Sequence, residues 1–179
     1  MLYKTEGIII KRTNLGEFDR LLTIYTKDFG KILVKAKAIR KNQSKLKGHL
    51  ELFLRSHLLI APSRNLDIVT GAETIERFSR LHQQLPYLAS AYYLSEVIDK
   101  SIIGPEKDSQ IWQLILASFQ KLNQKKAEPK MIIDNFERQL LGLLGYGQEE
   151  QSIASLINSL FREKIHSRLF LQKTLRLIR

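Results

Sequence analysis

Apolar side chains in residues 2–75 tend to recur at every second position, and beyond Glu76 they recur every three to four. A period of two belongs to strands that bury one face, and a period near 3.6 belongs to helices that bury one stripe. A chain that switches once from the first to the second, with hardly any linker, is expected to be α+β: a β-domain at 1–76 followed by a helical domain at 77–179.

Within the first part, turn chemistry separates five strands. Gly7 to Lys11 is β-branched and apolar, and Asn14-Leu15-Gly16 breaks it. Leu21 to Thr26 follows, and Lys27-Asp28-Phe29-Gly30 is a connection short enough for a hairpin, with a glycine able to take positive φ. In the third strand Ile32, Val34, Ala36 and Ala38 alternate with Lys31, Leu33, Lys35 and Lys37, giving one apolar face and one that carries lysines. Residues 40–48 form a basic, polar segment. Leu52 to Ile60 is the fourth strand, Pro62-Ser63-Arg64-Asn65 a turn, and Leu66 to Ile75 the fifth, with Gly71 marking a bulge. Five short strands interrupted between the third and fourth fit a Greek-key barrel of oligonucleotide-binding type. Strand count alone leaves an SH3-like barrel as the competing topology.

The second part offers helical stripes. Leu88, Ala91, Tyr92, Ser95, Ile98 and Ile102 form one, started near Pro86 and closed by Gly104-Pro105. Ser109 caps a second, with Ile111, Leu114, Ile115, Ser118 and Leu122 inward. Pro129 opens a third, with Ile132, Phe136, Leu140 and Leu143 inward and Gly145 as its stop. Ile153, Leu156, Ile157 and Leu160 form another stripe, and Ile165 to Arg179 is a last amphipathic, basic segment. The expected whole is a barrel followed by a helical bundle.

Charge narrows the function. The chain carries a net charge of +11, and residues 1–75 hold 14 basic against 7 acidic side chains. No acid falls between Asp28 and Glu51. A directed row of lysines on a barrel strand suits a polyanion, because each cation that neutralises a phosphate releases counterions. The candidate nucleic-acid ligands are Lys35, Lys37, Arg40 and Lys41, flanked by Lys11, Arg12, Lys31, Lys45 and Lys47. Tyr25 and Phe29 beside the hairpin are either stacking platforms or core residues. A DNA ligand, an RNA or ribosome-associated role, and a protein scaffold whose charge serves solubility all remain open on charge alone.

Other chemistry is poorly supported. With no cysteine, disulfides, thiol catalysis and cysteine-held zinc are excluded. His49, His57, His82 and His166 lack metal-ligand spacing, and no phosphate-cradling or dinucleotide glycine loop is present. Glu17, Asp19 and Arg20 read as an ion-pair cluster within a loop. No metal site and no catalysis are expected. The N-terminal apolar run is too short for a signal peptide, and no run of 18 apolar residues occurs, so a cytoplasmic protein without a membrane anchor is expected.

The string YKTEGIIIKRTNLGEFDRLLTIYTKDFGKILVKAKAIRK, residues 3–41, resembles the N-terminus of the RecO family, bacterial recombination mediators of the RecF pathway. The shared order is Glu6-Gly7, a Gly16-Glu17-x-Asp19-Arg20 loop, a Thr26-x-x-x-Gly30-Lys31 hairpin and a basic strand end. NFERQLLGLLGYG, Asn135 to Gly147, is similar to the family's helix that ends in a Leu-Gly-Tyr turn, and the tail from Gln148 departs from the pattern. The resemblance implies a non-enzymatic mediator that binds single- and double-stranded DNA, anneals strands coated by the single-strand-binding protein SSB, and acts with RecR to help load RecA. It also implies a site for the acidic SSB tail, for which Lys121, Lys125, Lys126, Lys130 and Arg138 around Phe119, Leu122 and Ile133 are the candidates. Many family members carry a four-cysteine zinc site; the absence of cysteine means that no cofactor carries over.

Overall fold

Ile8, Ile9 and Ile10 are all buried, although neighbouring strand residues point to opposite faces, so the first strand is covered on both sides at its middle. This strand, β1 (Tyr3–Leu15), is bulged between Ile9 and Lys11. Its first half pairs with β4 (Arg55–Ala61) and its second half with β2 (Asp19–Thr26), both antiparallel. A bulge sharpens twist and bends a strand, which is what lets one strand serve two halves of a barrel.

β2 forms a hairpin with β3 (Gly30–Ala36), and β5 (Ile68–Glu76) runs antiparallel to β4 and meets β3 in parallel at Lys35 and Ile68. The barrel is closed in the order β1-β2-β3-β5-β4. That order decides for the oligonucleotide-binding type. Its core holds Ile9, Leu22, Ile24, Val34, Ala36, Ile39, Leu50, Leu54, Leu58, Ile60 and Val69. The expected bulge in β5 is present: Leu59 faces Gly71 and Ile60 faces Val69, leaving Thr70 extra.

Every strand differs from the sequence expectation at one end or both: β1 takes in Asn14 and Leu15, which were expected to break it, β2 starts at Asp19, and β5 starts at Ile68 and ends at Glu76. β3 stops at Ala36, because Ala38 has φ of 51° and its N–H turns to Asp19 Oδ1 at 2.7 Å; Ile39, not Ala38, reaches the core. β4 starts at Arg55, because buried Phe53 has φ of 66° and breaks the extended run.

The computed structural model describes residues 1–146, 152–161 and 164–176. It divides into two units, Met1–Arg77 with Ile103–Asp108 and Phe78–Ile102 with Ser109–Arg179. The segment Ile103–Asp108 thus returns to the barrel unit. A Cβ on Gly30, whose φ is +66°, would lie 2.0 Å from the Glu106 carbonyl oxygen, so the backbone there approaches as only glycine permits.

In the second unit α1 (Leu85–Ser101) is followed by α2 (Ser109–Leu122), α3 (Pro129–Leu143), α4 (Ile153–Phe161) and α5 (Ser167–Leu175). α1 buries more than one stripe: Ala89, Ser90, Ala91, Tyr93, Leu94, Val97 and Ile98 lie inside, whereas Tyr92, expected inward, is exposed. In α3 the buried stripe is Ile133, Phe136 and Leu140, one residue out of phase with the expected Ile132. Gly145, at φ +83°, stops α3, and the Tyr146 N–H closes back on Leu141 O at 3.0 Å. Ile153 and Leu156 are buried in α4; the side chains of Ile157 and Leu160, together with Gly147, Gln148 and residues 177–179, lie outside the described residues. Among the described residues no helix is long and apolar enough to cross a membrane.

α5 is fastened by a carboxylate from α1. Glu96 accepts the His166 N–H at 2.9 Å and the Ser167 N–H and Oγ–H at 2.7 and 2.6 Å, with Lys100 Nζ 3.1 Å away. Partial burial pushes this carboxyl up, but the Ser167, His166 and Lys100 hydrogen bonds together outweigh it and hold it at about 2. A folded pKa below the ordinary value gives stability that is complete above the usual carboxylate range and is lost as pH falls towards 2. Glu96→Ala is therefore expected to cost about 1–2 kcal/mol at neutral pH. Thermal unfolding checks this, and the gap to the parent chain should close in strong acid.

Candidate nucleic-acid interface

With Leu22, Ile24, Val34 and Ala36 inside, the alternate residues of β1, β2 and β3 point outward. Cross-strand pairing then sets three rungs on the outer face: Lys11, Thr23 and Leu33; Thr13, Leu21 and Lys35; Tyr25 and Lys31. Lys11, Lys31 and Lys35 therefore share one face with the exposed Leu33. Lys37, expected in the same row, lies beyond the strand end and is exposed in the loop that follows.

The stretch without acids along the chain is not without acids in space. Asp19 Oδ2 lies 2.8 Å from Lys35 Nζ, while its other oxygen takes the Ala38 N–H. The Ala38 N–H and then Lys35 lower the Asp19 pKa, so this carboxylate is charged and offsets the Lys35 ammonium. Glu51 pairs with Arg12 and, at 3.2 Å, with Arg20. Burial, then the neighbouring Arg12 and Arg40 charges, disfavour the charged form of Arg20. The expected local cluster of Glu17, Asp19 and Arg20 is thus replaced for two of its members by longer-range pairs: Asp19 reaches to β3 and Arg20 to the segment before β4.

These pairs make a prediction. Glu51→Gln removes the carboxylate between Arg12 and Arg20, so affinity for a single strand should rise a few-fold and its log-log salt slope should steepen by about 0.7 for each cation released to a phosphate. Fluorescence anisotropy across a salt series reads both.

Beyond the strand ends two loops meet. The Arg40 N–H donates to Phe18 O at 2.9 Å, and its Nη1 to Gly16 O at 3.3 Å. Lys41 Nζ stands 5.1 Å from the centroid of the Phe18 ring. The β1–β2 turn and the loop after β3 thereby form one end of the barrel, with Lys37, Arg40, Lys41, Lys45 and Lys47 all exposed. Of the aromatics, Tyr25 is fully buried although its rung lies on the outer face, and Phe29, 38% exposed, packs edge-on against Tyr3 at 4.9 Å. Phe18, 40% exposed among these cations, was not singled out by sequence reasoning. Its signal was an aromatic inside a Gly-Glu-x-Asp turn, where no core position exists.

In the helical unit Lys121, Lys125, Lys126, Lys130 and Arg138 are exposed. Phe119, Leu122 and Ile133, expected to form an apolar groove between them, are core residues instead. Their phase in α2 and α3 turns them inward, so these three side chains line no groove between the cations. Among the described residues no group of three or more His, Asp or Glu is placed to hold a metal ion. With no cysteine in the chain, the donors of a four-cysteine zinc site are missing and the residues do not fit zinc.

A closed β1-β2-β3-β5-β4 barrel with a cationic end, followed by helices, defines a two-unit protein of the oligonucleotide-binding barrel class. Residues 1–78 match the family model described as Recombination protein O N terminal, and residues 82–170 that described as Recombination protein O C terminal. The chain belongs to the Recombination protein O (RecO) family.

Among its relatives, the DNA repair protein RecO of Roseiflexus sp. (strain RS-1) is 38% identical over 145 residues, 81% of this chain and 50% of the relative. That of Dehalococcoides mccartyi (strain ATCC BAA-2266 / KCTC 15142 / 195) is 36% identical over 155 residues, 86% of this chain and 60% of the relative. That of Trichodesmium erythraeum (strain IMS101) is 36% identical over 146 residues, 82% of this chain and 50% of the relative. The chain thus spans 50–60% of the length of these curated relatives.

Proposed function

We propose that the chain is a cytoplasmic DNA repair and recombination mediator that binds single- and double-stranded DNA and catalyses no reaction of its own. The observation that carries this reading is the barrel end where Arg40 and Lys41 meet Phe18 and Lys37 is exposed in the same loop, next to the face of Lys11, Lys31 and Lys35. Membership of the RecO family supports it. Cations that neutralise phosphates on two strands at once lower their mutual repulsion, and base pairing then supplies the free energy of annealing. No nucleotide hydrolysis is needed.

In the same reading the chain acts with RecR to help load RecA on SSB-coated DNA. The acidic SSB tail is drawn to Lys121, Lys125, Lys126 and Arg138 by charge. Matched single-stranded DNA, duplex DNA and RNA, titrated from low to high salt and followed by an annealing assay on complementary strands, test the proposal. Expected are affinities that fall linearly with log salt for both DNA forms, and faster annealing. Strong preference for RNA would favour a ribosome-associated role, and affinity independent of salt would leave a protein scaffold.

A further inference from the structure

We propose that Phe18 is a stacking platform for one unpaired base of a DNA strand, and that it gives the barrel end a preference for single strands over duplex. This rests on the DNA-binding reading above and names the form of DNA that the site distinguishes. Phe18 sits in the turn between β1 and β2 and is not part of the barrel core. The turn that carries Phe18 is tied to the loop after β3. The Phe18 carbonyl accepts the Arg40 N–H at 2.9 Å, Arg40 Nη1 donates to Gly16 O two residues before it, and Lys41 Nζ lies over one face of the ring, 5.1 Å from its centroid, which leaves the opposite face for a base. The residue is 40% exposed in this position.

The arrangement meets both needs of a single-strand site. Stacking requires a π-face fixed before binding, and the attached phosphates require cations within a few ångströms of it. Arg40 fixes the backbone of the platform, while Lys41 beside the ring and Lys37, exposed in the same loop, supply charge for the phosphates of a stacked nucleotide. Tyr25, next to the turn of the β2–β3 hairpin, cannot take this role, because it is fully buried. A paired base keeps its faces inside the duplex stack, so the ring adds nothing to duplex binding and the cations serve both forms alike.

The test compares the parent chain with Phe18→Ala, Phe18→Leu and Phe18→Trp on an oligonucleotide and its blunt duplex, at several salt concentrations. A second strand carries 2-aminopurine, whose emission is quenched by stacking. Phe18→Ala and Phe18→Leu should weaken single-strand binding about 5- to 150-fold. Phe18→Leu keeps the apolar bulk and lacks the π-face, so its loss separates stacking from packing. Duplex affinity should stay within about twofold, the salt slopes should not change because every cation that meets a phosphate remains, and Phe18→Trp should retain binding and 2-aminopurine quenching. Equal losses on strand and duplex, or none on either, would overturn the platform while leaving DNA binding intact. Parent protein that binds neither form in a salt-dependent way would overturn the DNA-binding reading and this proposal with it.

Discussion

Reversing Lys37, Lys41, Lys45 and Lys47 to glutamate is expected to reduce affinity for single-stranded DNA at least about 100-fold near physiological salt and to flatten the salt slope by about 0.7 for each phosphate no longer neutralised. All four are exposed in the loop between β3 and β4. Lys35 and Arg40 are left in place for a physical reason. Lys35 lies 2.8 Å from Asp19, so a glutamate there would set two carboxylates together and confuse binding with folding. Arg40 holds the β1–β2 turn through Phe18 O and Gly16 O. The matching control reverses Lys121, Lys125 and Lys126 in the helical unit, where binding should change only a few-fold if the barrel end is the site. Retained affinity and annealing in the loop variant would place the site elsewhere.

Gly30→Ala should be the most damaging single substitution among the barrel glycines, with a loss of more than about 3 kcal/mol. Two costs add. The φ of +66° is unfavourable for any residue with a Cβ, by about 1 kcal/mol. The new Cβ would also stand 2.0 Å from the Glu106 carbonyl oxygen and 2.6 Å from its carbon, and backbone atoms cannot move aside as the end of a side chain can. Gly16→Ala separates the two, since Gly16 has φ of +61° with nothing within 4 Å of a built Cβ. It should lose only about 1 kcal/mol. Thermal or urea unfolding of both variants decides the matter: equal losses would mean that the close approach of Glu106 contributes nothing.

The barrel was legible because period two and turn residues are local properties. Gly30 announced its hairpin and Gly71 its bulge from the sequence alone. What alternation assigns is a face, not what covers it, and for that reason the sequence leaves Tyr25 open between stacking platform and core; its rung is on the outer face and it is fully buried. Pairings between distant residues are similarly silent. Lys35 and Asp19, or Arg12 and Glu51, become neighbours only once the strands are in register, so an acid-free run along the chain overstated the bare positive charge in space. In α3 the adjacent Ile132 and Ile133 differ by about 100° around the helix, and the apolar pattern fits either phase. The structure turns Ile133 inward, and the groove it was to line closes with it. Phe18 was hidden by its neighbours, whose charges made the turn look purely polar.

The return of Ile103–Asp108 to the barrel bears on how the protein is made. The last strand is complete once Glu76 has been added, but the segment that lies on Gly30 leaves the ribosome only after the whole of α1. At about 5–20 residues per second the barrel waits seconds for its final piece. During that interval the Gly30 turn and its flank stand open, so the first helix is synthesised as an insertion within a barrel that is not yet finished. The two units, each with its own core, are interleaved in time.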